Sequence, residues 1–537
     1  MKETSAGRSR CVDALAVVLN ASCDGKGWFP STRQLQLASL QLCVACRSVP
    51  SLRLEVDMTV PHRLWVDPSG QGACSPGHRL QTRPSRVPSA RLHTVLWRMP
   101  ASLLMWSSGV LADLKCLIFT DEFNDAVDEV VWPRGLRRLS FGRAFNQTVV
   151  GTSFPTSLIR LDFGGSFNQP IDTVPWPGSL EQLSFDGGLF NQPIEAVAWP
   201  QSLTNLTFGF AFNRPIKGVS WPPSLRQLEF GDFFNQPIDD VAWPAALERL
   251  KFGHDFNQGV EDTSWPGSLQ QLTFGSLFNH PVVGVTWPAS VRWLTFGLEF
   301  NKPIEFLSRP PPLRQLSFGQ NCTPSVEELG QPTERASWPA SLEHLTLGDH
   351  FNQTIERVVW PASMRQLSFG RHFNKPIESV SWAASLESLS FGMAFNQAIE
   401  GVSWPGALRN LILGYRFNQP IASVSWPSSL RQLTLGHRFN QPVSNIEWPA
   451  FLQTLSFGHD FNQPIERVSW PASLQQLAFG HDFNQAIDGV SWPASLLRLA
   501  FGPRFERSID NIRWPVSLKE VKIGCRQQKL DHPMERA

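Results

Sequence analysis

Tyrosine is almost missing from this chain of 537 residues: one, Tyr415, stands against 21 Trp and 38 Phe. A core assembled from unrelated segments would not use aromatics so unevenly, whereas a copied motif would. Long apolar runs are missing too. None approaches the roughly 18 residues that a membrane-spanning helix needs, so no membrane insertion is expected. The short patch Ala14–Leu19, preceded by Asp13, is too brief for a signal-peptide core. An excess of charge of one sign is absent, since the formal net charge is +1. Residues 1–100 carry 13 Lys and Arg against 6 Asp and Glu, and the remainder carries 34 against 40. A segment at −6 lacks the basic footprint that phosphate backbones require, so no nucleic-acid partner is expected. Cysteine is sparse: five of the eight fall in the first 74 residues, at no recurring spacing. That pattern fits a reducing compartment, and a cytoplasmic location is expected.

What fills the chain instead is a period. From Trp132 onward a unit of about 22 residues repeats, with the consensus Trp-Pro-x-Ser-Leu-x-x-Leu-x-Phe-Gly-x-x-Phe-Asn-Gln-Pro-Ile-x-x-Val-x. Its Phe-Asn pair recurs from Phe123 to Phe483 in steps of 22, with one extra residue near Gly187 and one longer, degenerate unit between Phe300 and Phe351. About eighteen units are present. Each has one stretch of period-two alternation, such as Leu139-Ser140-Phe141 or Leu455-Ser456-Phe457, the signature of a strand three to five residues long. The Gly after it (Gly142, Gly458) is read as permitting a turn that other residues resist. Pro after Trp, and again inside Phe-Asn-Gln-Pro-Ile, removes backbone donors and fixes extended bends. Helices are therefore not expected.

One such unit buries too little apolar surface to offset the conformational entropy of fixing 22 residues. The units must stack, each completing its neighbour's burial and sharing a parallel strand ladder. The expected fold is mainly β: a repeat solenoid of about eighteen coils, one short parallel strand per coil. The recurrent Asn suits such stacking, because its amide can satisfy backbone groups of a neighbouring turn. Residues 1–95 read as an N-terminal cap or poorly ordered segment, 96–525 as the solenoid, and 526–537 as a polar tail.

Phe-Asn-Gln-Pro-Ile at 167–171, 190–194, 234–238, 417–421 and 461–465, with Phe-Asn-Lys-Pro-Ile at 300–304 and 373–377, resembles the FNIP repeat family over about residues 110–525. The resemblance implies a relation to leucine-rich repeats and an arc or horseshoe-like solenoid. It also implies an interaction protein, often carrying an F-box or another module beside the array, with no catalytic residues to transfer. Trp-Pro stands here where many members place an aliphatic residue before Pro, and a Trp column along one edge is expected.

If the strand Leu and Phe face inward, the residues between and before them face water. The position between them is Ser or Thr in eleven of eighteen units, and the position before Leu is mostly Gln or Arg. This uncharged polar sheet suits broad contacts to a protein or an extended peptide. Its exceptions, Trp293, Arg249, Lys251, His344, Arg138 and Arg160, are the candidate partner surface. Small Ser and β-branched Thr also simply suit exposed strands.

Other motifs are weaker. Cys43-x-x-Cys46 with Cys74-x-x-x-His78 has zinc-type donors, but the gap between its halves is long. Residues 35–49 have some Leu-rich F-box character without the expected Pro-acidic opening. The insertion at 320–337 is acidic through Glu327, Glu328 and Glu334. The sequons at Asn146 and Asn352 fall where neighbouring coils should enclose them. His254 and His459 share Gly-His-Asp but lie in non-adjacent coils, which argues against a metal site. No cofactor, metal or catalytic set is expected. The reading is a non-catalytic, monomeric scaffold that binds through the strand face; the alternative is a ubiquitin-ligase substrate adaptor with residues 1–95 as the ligase-binding part.

Overall fold

The computed structural model describes residues 114–185, 187–302, 312–321, 338–509 and 512–524, together with the backbone of three strands at 53–56, 94–97 and 526–529. The zinc-type tetrad, the 35–49 stretch and most of the 320–337 insertion lie outside the described residues. Two compact units are present, residues 1–247 and 248–537.

In the first unit six strands follow one another at coil spacing: Cys116–Phe119, Arg138–Ser140, Arg160–Asp162, Gln182–Ser184, Asn205–Thr207 and Gln227–Glu229. All pair parallel and in register, so that Leu117, Leu139, Leu161, Leu183, Leu206 and Leu228 form one row. Strands Arg53–Val56 and Thr94–Trp97 extend this ladder on its N-terminal side. The second unit holds thirteen parallel strands from Arg249–Lys251 to Glu520–Ile523, and Arg526–Lys529 closes it as an antiparallel hairpin strand. No helix occurs among the described residues. The insertion leaves the ladder unbroken, because Gln315 pairs directly with His344.

Alternation decides the inside. Leu455 and Phe457 are buried while Ser456 and Thr434 face outward. Behind the strand row, two Phe columns fill the coil. Phe141 and Phe145 stack at 4.0 Å within one coil, and each stacks on its counterpart in the next, Phe163 at 5.6 Å and Phe167 at 6.0 Å. The Trp residues form a further column of near-parallel rings, as in Trp338, Trp360 and Trp382 at 6.2 and 6.5 Å. Phe154 takes a Trp place between Trp132 and Trp176 without interrupting it. Offset aromatic pairs at such spacings add to their area burial.

The polar consensus residues tie coil to coil. Asn418 Oδ1 accepts the backbone N–H of Asn440 at 2.8 Å, and Gln441 Nε2 donates to Asn418 through both its side-chain and backbone oxygens. The same pattern repeats through Asn146, Asn168, Asn374, Asn396 and Asn462. The Ser of Trp-Pro-x-Ser donates to the backbone of the preceding coil, as Ser473 does to Leu452 at 2.7 Å. These bonds satisfy backbone groups that close stacking hides from water.

Two sequence expectations need correction. The Gly after the strand is not there for a left-handed turn, since neither Gly142 nor Gly458 has positive φ. It is there because adjacent coils approach too closely for a side chain: a Cβ on Gly164 would lie 1.6 Å from the Gly142 carbonyl oxygen. The sequon Asn352 is exposed rather than enclosed, even though its Oδ1 accepts the backbone N–H of Asn374 at 2.9 Å. Asn146 is half-buried.

Candidate binding surface

The strand face presents two outward rows, one from each side of the buried Leu. In the second unit the register places Arg249, Gln271, Trp293, Gln315 and His344 side by side in one row. Lys251, Thr273, Thr295, Ser317 and Thr346 run beside them in the other. With strands about 4.8 Å apart, Trp293 sits two coils from Arg249 and two from His344, roughly 10 Å each way. Four of the candidate residues therefore share one continuous patch. Trp293 is 39% exposed, whereas the consensus Trp residues are buried or half-buried. Its flanking partners are Gln, and Thr295 beside it is small, so the indole stands above the sheet. Arg249 and Lys251 are exposed and His344 is half-buried.

Arg138 and Arg160 behave differently. They are neighbours in the first unit's ladder, but Asp162 engages both. Its Oδ2 lies 3.3 Å from Arg138 Nη2, and Arg160 Nε holds both carboxylate oxygens at 2.9 and 3.0 Å. Arg160 also reaches Gln182 Oε1 at 3.4 Å. These two guanidiniums therefore form an internal charge cluster, less available to a partner than their exposure suggests.

A further row, one residue before the strand, has charges that answer one another across coils. Arg365 bonds Glu387, Arg409 approaches the same carboxylate at 3.9 Å, and Arg314 approaches Glu343 at 3.9 Å. Exposed pairs of this kind contribute little stability each; they neutralise the rim of the strand face. Arg431 instead covers the exposed ring of Phe451, 4.8 Å from its centroid. The charge row does not stand out along the chain, yet Arg365, Glu387 and Arg409 line up once residues are compared at the 22-residue period.

On the turn after the strand, imidazoles stack. His437, His459 and His481 occupy consecutive coils with ring centroids 4.5 and 4.4 Å apart, and Tyr415 lies 4.1 Å from His437. His459 thus has imidazoles on both sides, from coils other than that of His254. A hydrogen bond from His481, joined by the charges of Arg504 and His459, holds the Asp482 pKa below its ordinary value.

Among the described residues no helix is long and apolar enough to cross a membrane. The family model described as FNIP Repeat matches at 145–188, 190–233, 234–277, 278–321, 331–372, 351–394, 395–438 and 439–482. No curated protein matches the chain. Among solved structures the chain is similar to CroV588, described as a novel circular LRR protein, at 33% identity and a TM-score of 0.57, covering 77% of this chain and 73% of that one. It is also similar to an internalin, InlF of Listeria monocytogenes, at 13% identity with a TM-score of 0.33, covering 60% and 80%. Mouse RP105 in its complex with MD-1 matches at 12% identity with a TM-score of 0.41, covering 74% and 84%. The chain is thus a repeat solenoid resembling leucine-rich-repeat proteins.

Proposed function

This chain belongs to the FNIP repeat family, whose model covers more than half of its length, and from that premise we propose that it is a non-catalytic scaffold binding a protein or extended peptide on its strand face. The bound segment lies across the second unit's ladder between Arg249 and His344, with Trp293 at the centre. The observation that carries this reading is the exposed Trp293 indole, set between two Gln residues in a row otherwise made of polar side chains. An outward Trp on a polar sheet costs solubility and is the residue type most enriched where interfaces concentrate their energy. Arg249 and Lys251 at one side favour an acidic or carbonyl-rich partner segment there. The Ser and Thr rows supply hydroxyls for complementary hydrogen bonds. No set of titratable groups on this face has the arrangement of a nucleophile and base.

Cross-linking of the full chain in cell extract tests the assignment. Wild type should capture partner proteins that Trp293→Ala loses and that Arg249→Glu weakens, while Glu466→Ala, on another side of the coil, should retain them. Identical capture by wild type, Trp293→Ala and Arg249→Glu would place recognition elsewhere.

A further inference from the structure

Three consecutive coils carry the same dipeptide where the chain leaves its strand: Gly436-His437, Gly458-His459 and Gly480-His481. The 22-residue period brings these imidazoles into one stacked column, with ring planes nearly parallel at 11° and 2°. Two carboxylates interleave with them. Asp460 Oδ1 lies 2.8 Å from His459 Nδ1 and 3.8 Å from His437 Nδ1. Asp482 Oδ1 lies 2.7 Å from His481 Nδ1, and its Oδ2 lies 3.8 Å from His459 Nδ1. The donor atoms of His437, His459 and Asp460 all fall within 4.8 Å of one another, and so do those of His459, His481 and Asp482.

We propose that this turn column is a divalent transition-metal site, taking one Zn²⁺ between His437, His459 and Asp460. Two imidazole nitrogens and one carboxylate oxygen form a zinc donor set of the open kind, with water completing the coordination. Bonds of 2.0–2.2 Å in a tetrahedron place donor atoms about 3.3 Å apart. The 3.8 Å gap therefore has to close by roughly half an ångström, and the 2.8 Å contact has to open by a similar amount; rotation of half-exposed side chains on a fixed ladder supplies both. On binding, Nδ1 coordinates as the unprotonated nitrogen: a neutral imidazole carries its single proton on Nε2, and an imidazolium releases its Nδ1 proton to solvent. The second set is the weaker one, because Arg504 Nη1 occupies Asp482 Oδ1 at 3.1 Å and brings a positive charge beside the metal position.

The molecule contains its own comparison. His254 and Asp255 form the same Gly-His-Asp pair with Nδ1 and Oδ1 2.6 Å apart, but the next coil offers Ser276 at that place rather than an imidazole. A lone His–Asp pair is a local hydrogen bond; the column adds the second nitrogen that chelation needs.

The test is equilibrium dialysis of the full chain against Zn²⁺, with metal counted per chain in wild type and variants. His459 belongs to both donor sets, so H459A should lose one Zn²⁺ per chain relative to wild type. H481A should stay within about twofold of wild-type affinity, H437A should bind at least tenfold more weakly through the remaining set, and H254A should leave binding unchanged. Asp460→Asn keeps shape while removing the charged ligand, and should weaken binding at least tenfold even if H459A proves poorly folded. Equal uptake by wild type, H459A and Asp460→Asn would overturn the proposal. So would a loss in H254A as large as that in H459A.

Discussion

The carbonyl oxygen of Gly436 occupies the space that a side chain on Gly458 would need: a Cβ built there would lie 1.8 Å from it. The same relation joins Gly142 to Gly164 and Gly458 to Gly480. The turn after each strand is therefore the tightest contact between coils, and it fixes their approach on that side.

Substituting Gly458→Ala should force two coils apart and cost about 3 kcal/mol, the upper end for overpacking. Gly406 is exposed, and a Cβ there would meet nothing within 4 Å. Gly406→Ala should be neutral or stabilising by up to about 1 kcal/mol through the unfolded chain. Urea denaturation of both variants checks the contrast, and similar midpoints would contradict it.

The Asn column predicts a local effect. Asn418→Ala deprives the Asn440 amide of its acceptor and leaves the Gln441 side chain only the backbone oxygen of its two, so a part-buried donor goes unmatched at about 1–3 kcal/mol. Amide exchange at Asn440 should accelerate in Asn418→Ala, and far less in Asn418→Asp, which keeps the acceptor. Unchanged protection in the Ala variant would show that the column carries no load.

Several indole Nε1 atoms, among them those of Trp132, Trp176, Trp199, Trp382 and Trp404, are buried with no hydrogen-bond partner within the protein. An unmatched buried donor is costly, so Trp199→Phe removes a liability together with some ring area. Its stability should stay within about 1 kcal/mol of wild type, whereas Trp199→Ala should cost about 3–5 kcal/mol. Phe154 already performs this exchange in its own coil. A large loss in Trp199→Phe, read by denaturant midpoint, would assign the indole nitrogen a role.

How much of this was legible before the structure depends on the kind of contact. Burial of Leu139 and Phe141 followed from alternation alone, and the Asn column followed from a polar residue conserved in an apolar frame. The Gly after the strand was visible, but its reason was not: a sequence shows that a side chain is absent, not whether strain or crowding excluded it. The bond of Asp162 to Arg160 lies within one strand, whereas its bond to Arg138 and the imidazole column are contacts across coils. The column becomes readable only when residues 22 apart are compared, and His437, His459 and His481 stand at that spacing. Trp293 was found because it breaks the pattern of its own row.

A titration probes the turn at Asp240, which adopts a left-handed φ of 58° where Gly151, Gly218 and Gly284 do so in other coils. Lys217 Nζ lies 2.9 Å from its carboxylate, and this hydrogen bond and charge, with Asp239 nearby, raise the Lys217 pKa above 10.5. The folded value is the higher one, so the stabilising contribution is complete below 10.5 and fades as pH rises through the raised value. Asp240→Asn should return the Lys217 titration toward 10.5, followed by NMR of its side-chain carbons. An unmoved titration would mean the ion pair does not persist in solution.

The bonds that the consensus Asn, Gln and Ser residues make between coils run one way, unlike the ion pairs on the strand face. Each coil presents oxygen atoms forward, from Asn side chains and Leu backbones, and the following coil supplies the hydrogens through its Asn backbone, Gln amide and Ser hydroxyl. A chain emerging N-terminus first thus lays down acceptors before the donors that need them exist. In this set every completed turn is a template for the next, while the strand ladder adds bonds in the other sense, as from the Phe457 N–H to the Ala478 carbonyl. The two ends of a shortened array therefore differ in their side-chain groups: Asn and Leu oxygens of this set at the C-terminal cut, and Gln amides and Ser hydroxyls at the N-terminal one.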